Sequence, residues 1–150
     1  MPKFLTKIIL GFDFGSNNIG VAIGQLVTGT AHPIDTIRVK NGIPNWLQIE
    51  KLIKEWQPSL LVVGLPLNMD GTDQCFTDCA RKFANYLCDR FNIQICMQDE
   101  RLSTKEARSE LFRYGGYRNL VRSSIDSKSA AIILQDWITA YLSKDILTYK

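Results

Sequence analysis

The chain has 150 residues, 45% hydrophobic and 22% charged, with a formal net charge of +3. That length suits one domain, residues 1–150, which can bury roughly 70% of its unfolded surface without disulfides or a structural metal. No apolar run nears the roughly 20 residues of a membrane span, and no small-residue cleavage site follows the short apolar stretch near Met1, so a cytoplasmic protein is expected.

Residues 7–14, KIILGFDF, form an apolar run interrupted by Asp13. Gly15-Ser16-Asn17-Asn18 has turn chemistry, and IGVAI (19–23) follows, which is a hairpin signature. A third strand is expected near Asp35 to Val39, after a turn around His32-Pro33. Asn41 to Gln57 carries Trp46, Ile49, Leu52, Ile53 and Trp56 at helical spacing, and Pro58 ends it. Leu60 to Gly64 is a fully apolar strand of the buried parallel kind. A loop over 65–73, a helix over Gln74 to Phe91 and a strand over Ile93 to Met97 come next. Ser103 caps a further helix, with Glu106 at capping-box spacing. Residues 113–124 contain Gly115-Gly116 and no clear period, and are read as a mobile loop. Asp126 to Leu142 is the last helix. The order β-β-β-α-β-α-β-α-α predicts an α/β fold. Its five-stranded mixed central sheet is a three-strand antiparallel meander followed by parallel strands, with helices on its faces.

Three acids fall at element ends: Asp13 late in the first strand, Glu100 after the last, and Asp126 at the start of the final helix. Parallel strands bring Asp13 and Glu100 to the same carboxyl edge, where open α/β sheets place their sites. Asp126 can reach that edge from the helix start. Converging carboxylates repel one another unless cations neutralise them. Oxygen ligands suit Mg²⁺ or Mn²⁺, and two such ions roughly 3.5–4 Å apart serve phosphodiester hydrolysis. This chemistry needs no histidine, and His32 is the only one in the chain. Asp99 is a possible additional ligand, and plainer roles stay open: a surface pair with Arg101 for Glu100, a helix cap for Asp126, and an exposed or structural position for Asp99. An aspartate inside an apolar strand is the hardest of these to explain structurally.

Charge is unevenly spread. Arg101 to Lys128 holds seven basic and three acidic residues, a net +4, which points to a polyanionic partner. Arg101, Arg113, Arg118, Arg122 and Lys128 are candidate phosphate contacts. Asn68, in the loop after the buried strand, is a candidate substrate contact, and Tyr114 and Tyr117 are candidates for base stacking. Cys75, Cys79, Cys88 and Cys96 include no CxxC pair and are read as reduced thiols rather than zinc ligands.

The segments GFDFGSNNIGVAIG (11–24), VVGLPLNMDGTD (62–73), DERLSTKEAR (99–108) and SIDSKSAAIILQ (124–135) resemble the YqgF/RuvX family, the Holliday-junction-resolvase-like or pre-16S ribosomal RNA nucleases of bacteria. The resemblance spans nearly the whole chain. It implies an RNase H-like fold, an acidic triad at Asp13, Glu100 and Asp126, and trimming of the 5′ end of pre-16S rRNA, with four-way DNA junctions as the other substrate. Many family members carry a basic residue in the first hairpin turn, whereas this chain has Asn17 and Asn18. The sequence therefore predicts a metal-dependent endonuclease or exonuclease, a monomer or weak homodimer. Its alternatives are a junction resolvase and a non-catalytic nucleic-acid-binding factor.

Overall fold

The computed structural model describes residues 7–15, 17–66, 70–71, 77–99 and 122–148, with side chains in the last segment from 127 to 143. Strands β1 (Ile9–Phe14), β2 (Asn18–Gln25), β3 (Thr30–Lys40) and β4 (Ile43–Pro44) precede helix α1 (Trp46–Trp56). Then come β5 (Leu60–Leu65), α2 (Thr77–Phe91), β6 (Gln94–Asp99) and α3 (Arg122–Thr148). The expected helix from Ser103 and the expected loop over 113–121 lie outside the described residues.

The strands form one mixed sheet in the order β4-β3-β2-β1-β5-β6. β1 to β4 make the antiparallel meander. β5 joins β1 in parallel and β6 joins β5 in parallel, as the crossover helices predict. The sheet has six strands rather than five. The extra one is β4, inside the stretch expected to open the first helix. Asn41 and Gly42 both take positive φ, 53° and 76°, as a two-residue hairpin turn of the primed type requires. Ile43 and Pro44 then pair back onto Lys40 and Val39. Helix α1 starts only after Asn45, whose side chain accepts from the Gln48 N–H at 3.3 Å.

Two other starts moved by several residues. β3 begins at Thr30 and runs through Pro33, with a bulge opposite Val21/Ala22. Proline is tolerated there because β4 pairs only with Val39 and Lys40, leaving Pro33 on an open edge. α3 begins at Arg122, so residues 122–124 are helical rather than loop, and Asp126 sits a turn inside the helix instead of opening it. Serines at 123 and 124 suit a first turn, where backbone N–H groups have no helical partner.

Strand alternation divides the core. Leu10, Phe12, Ile19, Val21, Leu61 and Val63 meet Ile49, Leu52, Phe83 and Leu87 of α1 and α2. Ile9, Ala22, Leu60 and Val62 meet Ala130, Ile133, Leu134 and Ile138 of α3. Glycine permits the close approach of α3. A Cβ on Gly11 would lie 2.9 Å from the Leu134 Cβ and 3.4 Å from the Ala130 carbonyl oxygen; one on Gly24 would lie 2.8 Å from the Ile138 Cδ1. Gly24 pairs with Ile9, two residues before Gly11. Ile138, Leu134 and Ala130 thus climb β1 in its chain direction, and the N-terminal end of α3 heads for the carboxyl end of β1.

Candidate active site at the sheet edge

Asp13 is the fifth residue of β1 and is partly buried. It shares a face with Ile9 and Gly11, the face that α3 covers. Its partner on β2 is Gly20. On the other side, β5 reaches Gly64 one step past the Phe12–Val63 pair, and Gly64 is buried and paired with Gln98 of β6. Gly20 follows the parity of Ala22, and Gly64 that of Leu60 and Val62, so both belong to the α3 face. The aspartate therefore stands between two residues without side chains, at the level where α3 begins. In the sequence the signal for this was a carboxylate in an apolar strand; the flanking glycines gain meaning only through the pairing.

The backbone of Asp126 lies one helical turn before Ala130, the residue that touches Gly11. β1 and α3 thus bring Asp13 and the Asp126 backbone to the same edge. Glu100 and the Asp126 side chain lie outside the described residues, as do Asn68, Arg101, Arg113, Arg118, Tyr114, Tyr117, Cys75 and the Arg122 side chain. Asp99 ends β6 on the parity of Ile95 and Met97, which pack on the α1/α2 side, so it takes the face opposite Asp13. Lys128 is exposed, and two residues beyond Asp126 it lies roughly 200° round the helix. Among the described residues no three His, Cys, Asp or Glu side chains gather as a metal-binding group. Ser129, three residues past Asp126, is 1% exposed, and its hydroxyl has no hydrogen-bond partner among the described residues.

Two concavities flank this edge. On the α1/α2 side, Phe14, Ile43, Trp46, Phe83 and Tyr86 line an apolar groove of about 400 Å³. A polar one of about 570 Å³ lies at the β2–β3 end, lined by Asn17, Asn18, Arg38, Val39, Lys40 and Asn41. Arg38 and Lys40 were not among the basic residues singled out from the sequence. They are distant from the Arg101–Lys128 segment, and only the pairing of β3 on β2 brings them near Asp13.

Cys79 and Cys88 are exposed free thiols, and Cys96 is partly buried. Burial pushes the Cys96 thiol above its ordinary range, while a side-chain hydrogen bond with Trp137 opposes the shift. A raised thiol has less thiolate at neutral pH. In the native protein Cys96 is expected to react several-fold more slowly than Cys79 or Cys88 with a maleimide, as followed by peptide mass mapping, and the difference should vanish in denaturant.

The order of the mixed sheet and the helices on its two faces are those of an RNase H-like fold. Solved structures share this fold. Thermus thermophilus RuvC in complex with a Holliday junction aligns with a TM-score of 0.56 at 12% identity, covering 91% of this chain and 96% of that one. The fowlpox virus Holliday junction resolvase aligns with a TM-score of 0.56 at 14% identity, covering 89% and 99%. The chain belongs to the RuvX family, described as Holliday junction resolvase, whose sequence model matches residues 7–140. A relative from Proteus mirabilis (strain HI4320) is 61% identical over 131 residues, 87% of this chain and 94% of its own length. One from Yersinia pseudotuberculosis serotype IB (strain PB1/+) is 60% identical with the same coverage. Both carry the name "Putative pre-16S rRNA nuclease". By family the protein is a nuclease. Among the described residues no helix is long and apolar enough to cross a membrane.

Proposed function

We propose that residues 1–150 form one nuclease domain that hydrolyses phosphodiesters with Asp13, Glu100 and Asp126 as the acidic triad, and that its substrate is the 5′ end of pre-16S rRNA. The observation that carries this reading is Asp13 itself: a partly buried carboxylate on a strand, flanked by Gly20 and Gly64, where the N-terminal end of α3 arrives. The surroundings suit a hydrated hard cation. Gly20 and Gly64 place no side chain beside the carboxylate, and the Ser129 hydroxyl, without a partner among the described residues, is a buried polar group of the sort that an ordered water or ion satisfies. Asp13, Glu100 and Asp126 would hold Mg²⁺ or Mn²⁺. When bound, the ion supplies Lewis-acid stabilisation of phosphoryl charge and activation of a water nucleophile.

The protein's own contribution is positional. A strand fixes Asp13, and a helix packed on Gly11 carries Asp126, so neither acid depends on loop order. Arg101, Arg113, Arg118 and Arg122 are assigned to substrate phosphates, with Lys128 on the solvent side of α3, and Asn68 to a substrate contact from the loop after β5. The protein acts in the cytoplasm, as a monomer or weak homodimer. The names of the close relatives support RNA as substrate. The family description and the fold of the resolvases support a second reading, cleavage of four-way DNA junctions.

A side-by-side assay with Mn²⁺ on pre-16S rRNA carrying its 5′ leader and on a four-way DNA junction separates the two. The RNA reading expects leader removal at a defined site, with the junction cut poorly. Symmetric paired nicks in the junction with intact RNA would reverse the assignment.

A further inference from the structure

We propose that Arg38 and Lys40 of β3, with Asn17 and Asn18 of the first hairpin turn, form a phosphate-binding groove that holds the nucleic-acid backbone beside the scissile position. The inference rests on the proposed nuclease site, because it takes its position from Asp13.

The pairing sets the geometry. Asp13 pairs with Gly20, and Gly20 with Thr36, so one row crosses three strands. β3 runs parallel to β1 through two antiparallel steps, so Arg38 and Lys40 extend past that row at the carboxyl edge of β1. Ile37 and Val39 are buried against α1 and α2. Arg38 and Lys40 alternate with them, and therefore share the face of Asp13. Two strand spacings separate β3 from β1, roughly 10 Å. That distance sets the groove outside the carboxylate cluster but within the span of one bound strand.

The groove is built on rigid backbone. Arg38 pairs with Asn18, the Val39 N–H donates to the Asn17 carbonyl at 2.8 Å, and the Asn45 N–H donates to the Arg38 carbonyl at 3.0 Å. Among the described residues its lining holds a guanidinium, an ammonium and three asparagine amides, and no carboxylate. Arg38 and Lys40 are exposed, and among the described residues neither makes an ion pair. The middle of α3 packs at the other end of the β2–β3 pair, where Gln135 bonds Gly29 and Ala31. Several N–H donors and two positive charges match phosphate oxygens.

The test is fluorescence anisotropy of the full-length protein with two labelled probes, a single-stranded RNA and a four-way DNA junction, in EDTA across a salt series. Arg38→Gln/Lys40→Gln should bind the better probe about 3- to 10-fold more weakly, and its slope of log K against log salt should fall by about 1 to 2. Arg38→Lys/Lys40→Arg should keep most of the affinity. A control that removes two exposed charges on α1, Lys51→Gln/Lys54→Gln, should bind like wild type. Unchanged affinity and slope in the first variant, an equal loss in the α1 control, or a wild-type protein that binds neither probe would each overturn the proposal. Asp13→Asn should bind with an undiminished salt slope. If that variant still cleaves, the Asp13 reading fails while the binding result stands on its own.

Discussion

Asp13→Asn is expected to lower cleavage by about three orders of magnitude or more while leaving the fold in place. The substitution keeps shape and removes charge. If Asp13 holds a cation as proposed, its loss takes away several kcal/mol of charge stabilisation, and each ~1.4 kcal/mol is tenfold in rate. Folding should survive, because Asp13 sits at the strand end and the core on its face is made by Ile9, Ala22, Val62 and the apolar side of α3. Single-turnover cleavage with Mn²⁺, together with a thermal unfolding curve, checks both halves. A variant that is folded and fully active would remove Asp13 from the chemistry.

The second large effect is expected at Gly11, which is buried beneath α3. A side chain there starts with a Cβ 2.9 Å from the Leu134 Cβ, and valine adds two further carbons. Valine suits strands, so the cost is one of space and not of backbone preference. Overpacking of this kind costs about 1–3 kcal/mol. The sharper consequence is for activity. α3 must lift from β1 at the point one turn from Asp126, and if Asp126 belongs to the proposed triad, a shift of about 1 Å there costs on the order of 100-fold. Gly11→Val should therefore lose more activity than its stability loss explains. Adding Leu134→Ala, which by itself leaves a cavity costing about 2–5 kcal/mol, should restore part of the loss in Gly11→Val, so the two changes should be strongly non-additive. Wild-type activity in Gly11→Val would mean that the approach of α3 to β1 does not set the site.

The same contrast shows what was legible in the sequence. Asp13 stood out because a carboxylate in KIILGFDF breaks an otherwise apolar strand, and the parallel partners of that strand followed from the crossover helices. The face that Asp13 shares with α3 also follows from alternation, once the strand is known. β4 was missed although Asn41-Gly42 is a strong hairpin signal, because the tryptophans and leucine-type residues beyond it impose a helical period on the whole stretch. The early start of α3 was missed because Arg122, Ser123 and Ser124 are polar letters that add nothing to an apolar period; the helix continues through them from the turns that follow. Arg38 and Lys40 were overlooked for a different reason. Counting charge along the chain favours dense segments such as Arg101–Lys128, whereas these two reach Asp13 only across two strand pairings. The glycines beside Asp13 were visible as letters, but their meaning depends on register, which a single strand does not carry.

The most direct measurement of the central claim is calorimetric titration of Mn²⁺ into wild-type protein and into Asp13→Asn without nucleic acid. If Asp13 anchors a cation at the end of β1, wild type binds Mn²⁺ and the variant binds at least tenfold more weakly. Equal Mn²⁺ binding by the two proteins, or none by wild type, would contradict it.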